Sequence, residues 1–252
     1  MRLTIVGCSG SYPGPESSAS CYLLEAEHEG RPWRLLLDFG NGALGALHRH
    51  TDPLSIDAVL LSHLHADHCL DMCGYYVLRK YHPEGPQPRI PVFGPDGAAE
   101  RLARAYDLPE DPGMTGEFDF ETFPPEAFEI GPFRISAMPV AHPVPAYALR
   151  VETDGRTLTY SGDTGPCGAL EVAAAAADLF LCEASFREVD ENPPDLHLTG
   201  AQAGEAAERA GAARLLLTHI PPWHDDAEML AEARPAFSGP VDLAVCGETY
   251  EV

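Results

Sequence analysis

Basic residues are scarce in this chain: Lys and Arg total 16 against 39 Asp and Glu, a formal charge of −23 over 252 residues. A protein that grips a long polyanion does so by neutralising several phosphates, so this deficit disfavours extended nucleic acid as a partner. The run Arg79-Lys80 is too short to make a basic patch. Long apolar runs are missing as well. No uncharged stretch approaches the ~20 residues of a membrane helix, and candidates such as Val172 to Ala177 are short and alanine-rich. Met1 to Val6 already alternates like a strand and runs into the turn Cys8-Ser9-Gly10-Ser11. That leaves no room for a secretory leader, so a cytoplasmic protein without a membrane partner is expected. Cysteine pairs are absent too. Cys8, Cys21, Cys69, Cys73, Cys167, Cys182 and Cys246 are odd in number and contain no CxxC, which argues against a disulfide framework or a zinc finger. Most are expected as reduced core residues, with Cys69 and Cys73 off any metal.

What remains is an apolar content of 45%, enough for one large domain or two fused halves with a shared core. Strand-like runs recur at Leu3 to Val6, Cys21 to Glu25, Trp33 to Asp38, Ala58 to Ser62, Pro91 to Phe93 and Phe133 to Met138. Others follow at Ala146 to Val151, Thr157 to Ser161, Leu179 to Glu183, Leu215 to Thr218 and Val241 to Val245. Helix-like stretches lie between them: Gly42 to His50, Leu70 to Tyr81, Gly97 to Tyr106, Cys167 to Ala177, Gly200 to Ala210 and Asp226 to Ala233. The pattern predicts an α/β fold of sheets covered by helices. The Pro/Gly/acid-rich passage Leu108 to Pro125 reads as the connector between pseudo-symmetric halves, roughly 1–125 and 126–252, of a single domain spanning 1–252.

The chemistry concentrates in His63-Leu64-His65-Ala66-Asp67-His68, an HxHxDH pattern directly after the apolar Leu60-Leu61. Alternate side chains of an extended segment share a face, so His63 and His65 converge on one ion. Where the chain turns towards a helix, Asp67 and His68 are re-aimed at a second. Given this chain's histidine and aspartate frequencies, chance produces the pattern in roughly one or two chains per thousand. Metal ligation therefore outweighs histidines that merely cap a helix. His142, Asp163 and His219 each follow a strand-like run. Alone, such a histidine is more often a hydrogen-bonded loop residue, but strand ends of a layered α/β fold are where sites are built. Together five histidines and two aspartates suffice for two divalent ions, with zinc expected first and manganese or iron equally compatible with such ligands.

This order of ligands resembles the metallo-β-lactamase superfamily over almost the whole chain. The resemblance implies a four-layer αββα sandwich with its site at one edge of the paired sheets. It also implies His63, His65 and His142 on one metal, Asp67, His68 and His219 on the other, and Asp163 bridging them. Secreted lactamases replace the last histidine of the motif and put a cysteine at the bridging aspartate; this chain does neither. Three further stretches, Gly7-Cys8-Ser9-Gly10-Ser11, Cys182-Glu183-Ala184-Ser185-Phe186 and His197-Leu198-Thr199-Gly200, are similar to the glycine-serine turn, HEAT loop and HST loop of ribonuclease Z. That likeness implies His197 as general acid and Glu183 as its partner, with Asp67 orienting the attacking water as well as binding metal. An imidazole titrating near neutrality can protonate a departing ribose oxygen.

Two departures from ribonuclease Z matter. Cys182 stands in place of the HEAT histidine, which puts the acid relay in question. The arm that clamps tRNA lies in that family between the residues matching His142 and Asp163, where this chain has only twenty residues that read as a plain hairpin. Leu61 to Asp71, Pro194 to Leu198 and Leu215 to Trp223 are similar instead to an actinobacterial branch assigned as cyclic AMP phosphodiesterase. The similarity implies hydrolysis of a small phosphodiester, cyclic AMP, by water activated between two metals. It also implies a homodimer by analogy. Rival activities are a tRNA 3′-end endonuclease, a thioester or lactone hydrolase, and a non-catalytic metal protein. Outside the motifs, His28, His48, His50 and His82 read as surface residues and His224 as a neighbour of His219. Trp223 reads as a core residue in preference to one that stacks on a base, and Asp38 as a hydrogen-bond partner of a metal histidine.

Overall fold

In the computed structural model, which describes residues 1–252, two mixed sheets stack face to face with helices on both outer sides. The first sheet takes β1 (Arg2–Ser9), β2 (Ser18–Ala19), β3 (Cys21–His28), β4 (Arg31–Leu37), β5 (Ala58–Leu60), β6 (Ile90–Gly94) and β7 (Phe118–Thr122). The second takes β8 (Phe128–Ile130), β9 (Phe133–Pro139), β10 (Tyr147–Thr153), β11 (Arg156–Tyr160), β12 (Leu179–Glu183), β13 (Leu215–Thr218) and β14 (Val241–Leu243). Finally β15 (Thr249–Glu251) returns to the first sheet and pairs antiparallel with β1. Helices α1 (Ala43–Leu47), α2 (Ala66–Cys69), α3 (Met72–Lys80) and α4 (Ala98–Ala105) cover the first sheet; α5 (Gly168–Ala173), α6 (Gly200–Ala210) and α7 (Asp226–Ala233) cover the second.

Strand alternation sorts the apolar residues into three cores. Leu35 and Leu37 of β4, Leu149 and Val151 of β10, and Leu216 of β13 point between the sheets. Leu36 faces α1 and α3, while Leu215 and Leu217 face α6 and α7. Because both faces are covered, Leu35-Leu36-Leu37 and Leu215-Leu216-Leu217 read as unbroken apolar runs. Each buried leucine contributes about 1.5–3 kcal/mol, so the three cores dominate the stability of the sandwich.

The edges differ from the sequence expectation. The passage Leu108 to Pro125 is not only a connector: it holds β7, the edge strand that pairs parallel with β6. Its acidic and proline residues suit a strand with one neighbour, where an exposed edge is blunted by charge. The segment Tyr147 to Tyr160 is a two-stranded antiparallel hairpin, turned by Asp154 and Gly155, both in the left-handed region. No arm projects from it. No helix is long and apolar enough to cross a membrane.

Parallel pairing along β4-β5-β6-β7 and β11-β12-β13-β14 aligns the carboxyl ends of these strands within each sheet. Asp38, His63, Asp163 and His219 follow such ends closely and Glu183 terminates one. The chemistry-bearing residues are therefore gathered at one edge by topology.

Candidate metal centre

His63 and His65 leave β5 in an extended segment, whereas Asp67 and His68 belong to the single turn α2 that follows. The end of β4 fixes that turn. The Phe39 amide donates to the His68 carbonyl at 2.7 Å, and a side chain on Gly40 would collide with the Asp67 carbonyl, 2.0 Å from a Cβ placed there. His142 enters from the loop after β9, Asp163 from the loop after β11, and His219 from the loop after β13.

All seven predicted ligand residues come together, as two clusters that share Asp163. The first joins His63, His65, His142 and Asp163; the second joins Asp67, His68, Asp163 and His219. In the first, His63 Nε2 lies 3.0 Å and His142 Nε2 3.3 Å from His65 Nδ1, and Asp163 Oδ2 is 3.6 Å from His63 Nε2. In the second, His68 Nε2 lies 3.1 Å from His219 Nε2 and 3.2 Å from Asp163 Oδ1, while Asp67 Oδ2 is 3.2 Å from His219 Nε2. Ligands held tetrahedrally about 2.1 Å from an ion stand about 3.4 Å apart, which is the spacing seen here.

The protons support the same fit. His142 Nδ1 faces the Leu196 carbonyl at 2.9 Å, which can only accept, so Nδ1 carries the hydrogen and Nε2 offers a lone pair. Ser62 gives its hydroxyl hydrogen to Asp38 and so accepts from His63 Nδ1 at 3.1 Å, leaving His63 Nε2 as a second lone pair. Both aim at His65 Nδ1, which has at most one proton to share. Ser185 fixes His219 likewise, donating to the His219 carbonyl and accepting from its Nδ1, each at 2.8 Å. Asp163 Oδ1 is buried and makes no well-aligned hydrogen bond, with His68 Nε2 at 3.2 Å and His219 Nε2 at 3.5 Å as its near neighbours. Surplus buried acceptors facing one another are costly unless a cation sits among them, so the donor set fits two divalent ions.

Charge balance agrees. Burial pushes His63, His65 and His142 below the usual imidazole range, into the neutral form that ligates. Burial alone would raise Asp67 and Asp163, but the surrounding histidines outweigh it and hold both well below the usual carboxylate range. His68 is opposite: burial disfavours its charge, yet Asp163 and Asp38 raise it well above neutrality. The metal-free centre thus keeps a proton on His68 that an ion displaces.

Asp38 holds this arrangement from behind. Completely buried and in the left-handed region at φ 58°, it accepts from the Ser62 amide at 2.6 Å and from the Ser62 hydroxyl, Tyr160 hydroxyl and His68 Nδ1 at 2.7 Å each. The sequence pointed to Asp38; Tyr160, Ser62 and Ser185 it left without a role.

Beside the clusters, His197 Nδ1 donates to Glu183 Oε1 at 3.0 Å. Glu183 is completely buried and also accepts from the amides of Thr164, Ser185 and Leu198, so its oxygens are committed to holding the loop and the imidazole. Glu183, His197 and His219 also lie close enough to hold an ion, but those commitments and the place of His219 in the second cluster leave them no free ligand set. Cys182 does not disturb the pair. Side chains alternate along β12, so Cys182 packs into the core beneath α5 and α6 while Glu183 faces the site. Cys69 lies in the core behind the first sheet, and neither it nor Cys73 belongs to a ligand cluster. Trp223 contradicts its expected core position: it is 60% exposed.

Residues 33–220 match the family model described as a β-lactamase superfamily domain. The chain belongs to the β-lactamase superfamily. Within this superfamily it is 46% identical over 256 residues to Rv1339 of Mycobacterium tuberculosis, an uncharacterized protein, covering all of this chain and 92% of the relative. It is 28% identical over 259 residues to YhfI of Bacillus subtilis, named a probable metallo-hydrolase, with full coverage of both. The crystal structure of YhfI superposes with a TM-score of 0.87 over 100% of this chain and 99% of that one. A ribonuclease Z of Myxococcus xanthus is 29% identical over 315 residues, covering all of this chain and 98% of the relative. With its histidine and aspartate clusters, the chain is a metal-dependent hydrolase of this superfamily.

Metal loading is expected to stabilise the fold measurably. A divalent ion at a hundred times its dissociation constant contributes about 2.7 kcal/mol, and each kcal/mol moves the melting point of a domain this size by about 2–4 °C. Calorimetry with zinc or manganese should therefore show Tm rising by about 5–10 °C over chelator-treated protein. An unchanged Tm would argue against a preformed metal centre.

Proposed function

We propose that the chain is a dinuclear metal-dependent phosphodiesterase acting on a small phosphodiester, and that its substrate is a 3′,5′-cyclic nucleotide, cyclic AMP. The observation that carries this reading is the pairing of two donor clusters through Asp163 with the His197–Glu183 couple beside them. Two divalent ions supply water of lowered pKa and neutralise charge on phosphoryl oxygens. The chain's own residues do the rest. Asp67 sets its free carboxylate edge among the second cluster, where it can orient the attacking water. Asp38, Ser62 and Ser185 keep the imidazoles in ligating tautomers and orientations. His197, its Nδ1 held by Glu183, presents Nε2 as the proton source for the departing ribose oxygen.

Preference for a small substrate rests on charge and shape. Among the arginines only Arg49, Arg79, Arg101 and Arg234 lack a carboxylate partner, and Arg79 is buried. No basic stripe is left to track a polyanion, and the hairpin of β10 and β11 offers no arm to clamp one.

The experiment is hydrolysis of cyclic AMP by zinc- or manganese-loaded protein, beside the His63→Ala variant and a precursor tRNA. Release of AMP that His63→Ala abolishes is the expected result. Cleavage of the tRNA with no action on cyclic AMP would replace the small-phosphodiester reading with that of an endonuclease.

A further inference from the structure

Two exposed aromatic rings stand at the rim of the metal centre, carried by loops from opposite ends of the chain. Tyr12 is 43% and Trp223 60% exposed, yet their rings pack at 5.4 Å between centroids and 34° between planes. Two large aromatics left to water in mutual contact present an apolar π face on which a further ring can stack.

The loops are locked to the ligands. The Gly10 amide donates to the Ile220 carbonyl at 3.0 Å, and Ser9 and Ile220 form a parallel bridge. A Cβ on Gly10 would sit 2.2 Å from the His219 carbonyl, so only glycine permits this approach. One residue before Tyr12, the Ser11 amide points at His219 Nε2 from 3.5 Å. The Ser9 hydroxyl donates to the Tyr12 carbonyl at 2.8 Å, and Trp223 Nε1 donates to His224 Nε2 at 3.1 Å. The rings are thus preorganised although exposed, which lowers the entropy cost of stacking a third ring on them.

We infer that Tyr12 and Trp223 form a stacking platform for the nucleobase of the substrate; this deepens the phosphodiesterase reading and rests on it. A nucleotide carries its base one sugar away from phosphorus, and Tyr12 follows directly on Ser11, whose amide reaches His219 Nε2 at 3.5 Å. Orientation follows from charge. Pro222 and His224, which flank Trp223, line a cleft of about 330 Å³ walled partly by Glu16, Asp225 and Asp226, which repel a phosphate but tolerate a neutral purine. The phosphoryl group is left to the metal clusters and the base to the rings. Stacking reads a π face rather than an edge, so the platform selects nucleotides over base-free phosphodiesters and discriminates weakly among bases.

The test separates binding from turnover. With Trp33→Phe as background, Trp223 is the remaining tryptophan, and AMP added to zinc-loaded protein should quench its fluorescence saturably while ribose 5-phosphate should not. In kinetics, Trp223→Ala and Tyr12→Ala should each raise KM for cyclic AMP roughly ten-fold or more with kcat little changed. Trp223→Phe should recover most of the loss, and all variants should cleave a base-free ribose cyclic phosphate like the parent. Turnover of cyclic AMP with KM unmoved in both alanine variants, or equal binding of AMP and ribose 5-phosphate, overturns the platform and spares the phosphodiesterase reading. Saturable quenching by AMP without any turnover of cyclic AMP supports the platform and removes that reading.

Discussion

Replacing Asp163 with alanine is expected to lower metal content and abolish hydrolysis together, the largest single effect of any substitution in this chain. Its two oxygens face different clusters: Oδ2 is 3.6 Å from His63 Nε2 and Oδ1 3.2 Å from His68 Nε2. Each of the other six residues belongs to only one of the two clusters. Loss of Asp163 therefore removes a donor from both and leaves the histidines of each cluster with one negative partner fewer. Removing one preorganised charge-stabilising group costs about 10²–10³ in rate, and a residue that serves two ions should exceed that. Elemental analysis after dialysis against zinc should find about two ions per chain in the parent and fewer than one in Asp163→Ala.

Asp163→Asn refines the point. Asparagine keeps the shape and one ligating oxygen, so one ion should remain while activity is still lost. The fold should survive both changes, because His68 retains Asp38 at 2.7 Å as a counter-charge and the three cores lie away from the loop. Circular dichroism of the metal-free proteins checks that. Full activity in Asp163→Ala with two ions bound would sink the shared-ligand assignment.

The residues of the two clusters were legible in the sequence because the signal is local. HxHxDH sits within six residues, and His142, Asp163 and His219 each follow a recognisable strand-like run within three residues. What escaped was non-local. Tyr160 serves Asp38 across 122 positions of chain, and Ser185 serves His219 across 34; no spacing rule connects a hydroxyl to a carboxylate that distant. Short strands were lost for a different reason. β7, β8 and β15 lie at or near sheet edges, each buries only part of its length, and apolar periodicity over three to five residues is too brief to stand out. Trp223 was misplaced because an aromatic beside two prolines looks the same whether a neighbouring loop covers it or leaves it to solvent.

His197→Ala should lower kcat for cyclic AMP by about 10²–10⁴, the usual contribution of a general acid. The loss should nearly vanish for a diester with a p-nitrophenolate leaving group, which departs without a proton. That contrast separates proton donation from damage to the site, since damage would slow both substrates alike. The pH profile carries a second signature. Burial disfavours the charged imidazole, but the Glu183 carboxylate at 3.0 Å, and then Asp163, outweigh it and raise His197 to about 9. A group that must be protonated to act works below its pKa, so the rate should fall as pH rises through the alkaline limb. Bound dications repel the imidazolium and set that limb at or below the value in the metal-free protein. In Glu183→Gln the larger attraction is gone and only Asp163 still opposes burial, so the limb should move to lower pH by about one unit or more while the limb governed by water ionisation stays in place. If Glu183→Gln leaves the alkaline limb where it was, Glu183 is only a structural acceptor for the Thr164, Ser185 and Leu198 amides, and the proton for the leaving oxygen comes from elsewhere.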